Sequence, residues 1–408
     1  MLDLKWLKRL CHLEKFIDKI TIFKVICAEA NMVLKNRKFI VFGIDHYNPL
    51  GIIRALGSKG IKPDFICIKG KAPVASSSKY IGKLLRVDDY VKGCELLLKE
   101  YGNYPMEELP FVITTDDEQA EYLDVHYSEY KNKFIFFNAG IDGRISKFMD
   151  KYNILQIAKK YGLNTLETYT VNKGMIPENL PYPIITKSIS PTVGGWKSDV
   201  FICENETELK NAYEKIQAPQ VILQHYIDKK NECALQGFSI NHGKDLFIGV
   251  AMDWKYMIKG YYSPYHNVYS FNKPDVQQKL KAMYEEIGFE GIFEIEFLID
   301  QDDTYYFSEI NFRNSPWSYA AFIAGMNIPY LWALSMVKGF IPEDAFKEIT
   351  EPFDSICESV DYQKRVVERG YSQTEWIKDF KNAKCKYFYD KDDPAPFFVM
   401  IENNMILR

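Results

Sequence analysis

Apolar spacing divides the chain into stretches of different character. Residues 1–36 contain no glycine or proline, and Leu7, Leu10, Leu13, Ile17, Ile20 and Phe23 recur at helical intervals with Lys5, Lys8, Lys15, Lys19 and Lys24 between them. This spacing predicts one long amphipathic helix or two shorter ones. From residue 37 the pattern changes. Lys38–Asp45 is a continuous apolar run, Asn48–Gly57 a turn and helix, Pro63–Ile68 a second strand and Phe111–Asp117 a third. Strands alternating with helices predict a parallel sheet with crossover connections over 37–150. Beyond it, a helix is predicted over Lys151–Tyr161, stopped by Gly162, and another over Pro274–Ile287. Strands over Pro183–Ser188, Val221–Asp228, Ala234–Ile240 and Leu246–Ala251 predict a mostly antiparallel sheet. Past Gly339 the chain is polar and mixed, with a helix predicted over Gln373–Asn382.

The most informative pattern lies at residues 291–313. Two strands, Gly291–Asp300 and Tyr305–Arg313, flank a polar Gln301–Thr304 turn. Glu296 stands among apolar neighbours in the first strand, and Glu309 and Asn311 lie two apart in the second. Side chains two apart share a sheet face, so an antiparallel hairpin gathers two carboxylates and an amide oxygen on one side. Such an oxygen-only set suits a hard cation such as Mg²⁺, usually with phosphates completing its shell. Arg313 falls on the same face if the strand continues, where it meets developing phosphate charge. The competing reading is a solvated hairpin face, but glutamates are depleted in strand interiors.

Composition narrows the class. With 408 residues the chain is too long for one ordinary core; 47% hydrophobic and 26% charged residues fit a soluble globular protein. A net charge of −4 argues against bulk attraction to nucleic acid. The eight cysteines include no Cys-x-x-Cys pair and no His/Cys metal spacing, as expected of buried thiols in a reducing compartment. No signal peptide and no membrane span is read in the sequence, so the expected location is cytoplasmic. The Gly43-x7-Gly51 spacing is not a dinucleotide fingerprint, which disfavours a dehydrogenase.

The middle of the chain carries what a nucleotide's phosphate chain requires. Lys187 ends a strand beside the loop Ser190–Asp199, where backbone N–H groups around Gly194 and Gly195 can close over phosphates. Lys151 starts a helix. Gln224, His225, Tyr226 and Ile227 offer a strand edge to a purine, and Glu232 follows as an acceptor for ribose hydroxyls.

At these residues the sequence resembles the ATP-grasp superfamily. The resemblance rests on Ile184–Lys187 with its loop, Leu223–Asp228 with Glu232, Gly291–Glu296 and Glu309–Arg313, and it spans about 38–340. It implies an ATP-grasp fold over 151–340, with a flexible lid at about 165–230. A Rossmann-like parallel-sheet unit precedes it at 37–150, the amphipathic helix of 1–36 lies outside the usual pattern, and 341–408 is a C-terminal extension. It further implies ATP and Mg²⁺, two ions, as cofactors. Glu296, Glu309 and Asn311 become the metal ligands, Lys151 and Lys187 the phosphate contacts, Glu232 the ribose contact and Gln224–Ile227 the adenine hinge. Arg313 faces the acyl-phosphate oxygens. Within the superfamily the chain is similar to carboxylate–amine ligases related to D-aspartate ligase and to short carbamoyl-phosphate-synthetase-like proteins, partly through Trp376-x-x-Asp379 and Lys391-Asp-Asp-Pro394 in the tail. Gln224-His225 stands where many members have two acids, and the loop after Lys187 has fewer glycines than usual. The implied chemistry is activation of a carboxylate by ATP and capture of the acyl-phosphate by an amine.

Substrate contacts are sought among Lys255, Lys259, His266, Asn314 and Ser315, which lie near the acidic hairpin in sequence order. The expected partners are small molecules. The helix at 1–36 is open to docking on a second subunit, as in a homodimer, or on a membrane surface, given its lysines and Trp6. A nucleotide-binding regulator that kept the grasp but lost ligation is the rival class, and loss of Glu296, Glu309 or Arg313 would favour it; all three are present.

Overall fold

The computed structural model describes residues 34–189, 196–258 and 262–403, with the side chains of Trp196 and Lys197 left out. The helix expected over 1–36, apart from its last three residues, lies outside them, as do Gly194, Gly195 and Lys259.

Four strands form the expected parallel sheet: β1 (Phe39–Ile44), β2 (Asp64–Ile68), β3 (Leu84–Val87) and β4 (Phe111–Thr114), in the order β3-β2-β1-β4. β3 has no counterpart in the sequence reading, because its four residues are only partly buried and carry no long apolar run. Helix α1 (Tyr47–Gly57) follows β1, its first turn capped by the His46 side chain. The open sheet changes direction at β1, so the loops after β1 and β4 bound a crevice. Those loops carry His46, Thr115 and Asp116, and Asp117 opens the helix that follows β4.

Helix α2 (Lys151–Lys160) begins at an Asp150 cap and stops at Gly162, whose φ of 76° is a left-handed conformation that a side chain would strain. It leads into a small antiparallel sheet of β5 (Thr168–Asn172), β6 (Ile184–Lys187), β7 (Ile202–Cys203) and β8 (Gln220–His225), ordered β5-β8-β6-β7. This sheet has its own apolar core around Ile184, Leu209 and Leu223.

The large sheet contains β9 (Asn231–Ile240), β10 (Asp245–Trp254), β11 (Tyr265–Tyr269), β12 (Gly291–Ile299), β13 (Tyr305–Asn311), β14 (Phe353–Ile356) and β15 (Cys385–Lys386). Their order is β13-β12-β9-β10-β11-β14-β15. Helix α3 (Pro274–Ile287) matches its predicted limits. Helix α4 (Ile328–Lys338) packs on β9, β12 and α1. Its Trp332 is fully buried, meeting Phe111 of the parallel sheet and Phe137 edge-on at 5.6 and 5.0 Å. One apolar core therefore joins the parallel unit to the large sheet.

The polar tail is built into this body. β14 pairs with β11, and β15 with β14. Arg54 of α1 is buried against Asp393 at 3.0 Å and also donates to the Tyr387 and Phe388 carbonyls at 3.2 and 2.9 Å. The tail motif has a packing role. Trp376 Nε1, on helix α5 (Gln373–Asn382), donates to Asp361 at 2.8 Å, and Arg365 binds both Asp361 and Asp379. Among the described residues no single helix is long and apolar enough to cross a membrane. The six described cysteines are buried and unpaired.

Candidate active site

The acidic hairpin pairs as its alternation predicts. Glu296 on β12 lies opposite Glu309 on β13, and Glu294 lies opposite Asn311. A bulge after Glu296 shifts the register, so that Phe297 pairs with Phe307. Glu294, Glu296, Glu309, Asn311 and Arg313 line one cavity of about 500 Å³. The Asn311 amide donates to Glu294 and Glu296 at 3.3 and 3.1 Å. Arg313 donates to Asp117 at 3.1 Å and to Asn311 Oδ1 at 3.2 Å, while its Nη1 is buried without a hydrogen-bond partner. Glu309 is ion-paired to Lys151 at the start of α2.

A second cavity of about 270 Å³ opens between the small sheet and the hairpin. Lys187, Gln224, His225, Tyr226, Ile227 and Glu232 line it, together with Leu298 of β12 and Ile185 of β6. Lys187 Nζ donates to Gln224 Oε1 at 2.8 Å, and Gln224 Nε2 donates to Thr168 at 2.9 Å, so the Gln224 amide has a fixed orientation. The N–H groups of His225 and Tyr226 are engaged by the Glu167 and Pro183 carbonyls. Glu232, on β9, is paired to Lys229.

The electrostatics follow from crowding charges out of water. Burial, then Glu309 and Glu294, push Glu296 well above the usual carboxylate range. Burial also raises Glu309, but Lys151, Lys187 and Arg313 outweigh it and hold Glu309 low. Burial would lower Lys151, yet Glu309 and Glu296 keep it raised. For Lys187, burial and then the neighbouring Lys151 outweigh the pull of Glu309 and Glu232 and bring it down to about 8. Burial raises Glu294 despite Arg313, Ser315 and Gln236.

The donor set fits Mg²⁺ with a nucleotide. Among the described residues no three His, Cys, Asp or Glu side chains form a preformed metal cage. Mg²⁺ seldom uses one; it takes one or two carboxylates and completes its shell with phosphates and water. Glu296, Glu309 and Asn311 supply oxygens of that kind beside two lysines.

Four of the expected substrate contacts are described, and none lines either cavity. Lys255 is paired to Asp354 at 3.1 Å. His266 is buried at the edge of Trp317, and burial takes it down to about 3. Asn314 donates to Asn48 at 2.6 Å, tying the hairpin to α1. Ser315 caps the turn at Trp317 and lies behind Glu294. Sequence proximity placed these residues near the hairpin but did not reveal which way they face. Three charged lining residues went unread. Glu294 is signalled by the same alternation as Glu296, and Asp117 by its place after a parallel strand; Lys229 carries no signal beyond a charged turn.

Comparison with known proteins agrees with this fold. Residues 150–244 match the family model of the RimK-like ATP-grasp domain. No curated protein sequence matches the chain. Among solved structures it is similar to the L-amino acid ligase from Bacillus licheniformis, at 14% identity and TM-score 0.61 over 79% of this chain and 80% of that one. It is similar to the biotin carboxylase domain of Hydrogenobacter thermophilus 2-oxoglutarate carboxylase with MgADP and bicarbonate, at 17% identity and TM-score 0.61 over 78% and 74%. It is also similar to N5-carboxyaminoimidazole synthetase from Staphylococcus aureus complexed with ADP, at 14% identity and TM-score 0.60 over 81% and 85%. The chain thus has the ATP-grasp fold, with a RimK-like ATP-grasp region at its centre.

Proposed function

We propose that the protein is an ATP- and Mg²⁺-dependent ligase that activates a carboxylate as an acyl-phosphate and joins it to an amine. The observation that carries this reading is the shared border of the two cavities, since Lys151, Lys229, Glu232, Glu296 and Glu309 line both. A nucleotide held along Gln224–Ile227, with its ribose at Glu232, directs its terminal phosphate over that border towards Arg313. Lys187 and Lys151 bind phosphate oxygens. Glu296, Glu309 and Asn311 would hold Mg²⁺, which would neutralise charge on the transferring phosphoryl group. Arg313, with Asp117 and Asn311 fixing one edge, lines the cavity in which the carboxylate is activated and brings its positive charge to that carboxylate. The carboxylate oxygen attacks the γ-phosphorus and ADP leaves. The amine nitrogen then attacks the acyl carbon, phosphate leaves and the nitrogen sheds a proton. Neither step requires a nucleophilic side chain. The RimK-like match and a fold neighbour that is an L-amino acid ligase support this class.

The first test is thermal stability with Mg-ATP, Mg-GTP or neither, for the wild type and Glu309→Gln. Ligand at about one hundred times its dissociation constant stabilises by about 2.7 kcal/mol. The expected result is a rise specific to ATP and Mg²⁺ that weakens in the variant. No rise with either nucleotide would sink the reading in favour of a degenerate scaffold.

A further inference from the structure

Away from the nucleotide border, the acid cavity is walled by rings. Tyr47 at the start of α1, Tyr262 and Trp317 line it together, with Tyr47 and Tyr262 set 5.9 and 5.4 Å from the Trp317 ring. Phe148 and Trp254 also line this cavity. His266 and Tyr387 meet Trp317 at 4.6 and 5.4 Å, which fixes the indole. The wall is therefore rigid and built for apolar contact, and offset or edge-on packing against such rings favours another ring.

The charges of the same cavity set a second condition. Its described cations are Lys151, Lys229 and Arg313, and the two lysines are closed onto Glu309 and Glu232. Arg313 alone among them keeps an unpartnered nitrogen. One carboxylate is thus matched, while neither lysine of the described lining stands clear of a carboxylate to meet a second. We infer that the carboxylate substrate is an acid with a single carboxylate and an aromatic or similarly bulky apolar body. Its carboxylate lies on Arg313 and its body against Tyr47, Tyr262 and Trp317. The inference rests on the ligase reading and names the substrate class for that site.

Hydroxylamine supplies a test that does not need the natural amine. Its nitrogen attacks the acyl carbon, phosphate leaves and a proton is lost, so each acid gives its own hydroxamate, read as its coloured complex with added Fe(III). The acids compared are 3-phenylpropionate, L-phenylalanine, acetate, glycine, L-aspartate and L-glutamate, with saturating Mg-ATP. The phenyl-bearing acids should exceed the other four in kcat/KM by at least about tenfold, the scale at which apolar pockets discriminate. Tyr262→Ala should raise KM for the phenyl acids about tenfold or more with a smaller change in kcat. Trp317→Phe, which keeps a ring in the wall, should retain the preference. Equal or better use of acetate, glycine or the dicarboxylates overturns the substrate assignment and leaves the ligase reading standing. Absence of hydroxamate from every acid overturns the substrate assignment, and absence of hydroxamate together with no thermal rise from Mg-ATP overturns the ligase reading as well.

Discussion

Lys151 and Glu309, 158 residues apart in sequence, are bonded to each other where the two cavities meet. The proposed phosphate cation and the proposed metal ligand thus neutralise one another. Either ligand arriving alone strands one member of a largely buried pair, which is costly. Arriving together, the phosphate takes the lysine and the metal takes the carboxylate. Mg²⁺ and nucleotide should therefore bind with positive coupling, of the 5- to 150-fold size typical of linked sites, so roughly tenfold or more. Calorimetry with Mg²⁺ alone and with Mg²⁺ plus a non-hydrolysable ATP analogue measures it. Lys151→Met should tighten Mg²⁺ binding in the absence of nucleotide; equal Mg²⁺ affinity with and without nucleotide would refute the coupling.

Turnover should be more sensitive than folding to the same carboxylate. Glu309→Gln preserves shape and keeps an oxygen but removes the charge that balances Lys151 and holds the metal. Mg²⁺-dependent ATP turnover should fall about 10²- to 10³-fold, as when a transition-state electrostatic group is lost. Far-UV circular dichroism should be unchanged. A variant with wild-type turnover would remove Glu309 from the metal site.

Lys187 gives a prediction in pH. Its folded value of about 8 lies below the ordinary 10.5. Below pH 8 both folded and unfolded chains hold this proton. Between about 8 and 10.5 the unfolded chain holds more protons, so this lysine's contribution to stability rises with pH across that window. Phosphate binding makes the opposite demand, because it needs the charged ammonium. Binding a non-hydrolysable Mg-ATP analogue at pH 8 should draw in about half a proton, and affinity should weaken above that pH. Titration in two buffers of different ionisation enthalpy reads the uptake directly. Lys187→Arg, always charged, should abolish it; the same uptake in that variant would assign the proton elsewhere.

Much of this architecture was legible because the signals are local. β1, α1, α3 and the hairpin announce themselves through apolar runs, period-two alternation, a proline at the helix start and a polar turn. Glu296, Glu309 and Asn311 could be grouped on one face because alternation fixes direction without any knowledge of the fold. Arg54 and Asp393 are different. They are 339 residues apart, and nothing near either marks a buried pair. The strands β14 and β15 were missed for the same reason, since their pairing with β11 is long-range and their own runs are short. Lys255 and Lys151 show how a charge's role escapes local reading. Each is a lysine near apolar residues, yet one meets Asp354 outside both cavities and the other meets Glu309 inside them.

His266 tests whether a residue close in sequence to the site acts in it or beneath it. It sits on β11 at 1% exposure, opposite Trp254 on one side and Ser355 on the other, with Nδ1 3.4 Å from the Ser355 hydroxyl. Burial holds it near 3, well below the ordinary 6.5, so the folded protein keeps it neutral. The unfolded chain takes up a proton as pH falls through 6.5 and the folded chain does not. This stability is therefore complete above pH 6.5 and lost progressively below it, by up to about 1.4 kcal/mol per pH unit. In His266→Gln the loss between pH 7 and pH 5 should shrink by about 2 kcal/mol relative to wild type, as read by urea unfolding at the two pH values. Because His266 lines neither cavity and acts only by backing Trp317, kcat at pH 7.5 should stay within about fivefold of wild type, far less than the 10²- to 10⁴-fold expected of a lost acid–base group. A 100-fold fall in kcat with an unchanged acid stability profile would instead put the imidazole among the reacting groups.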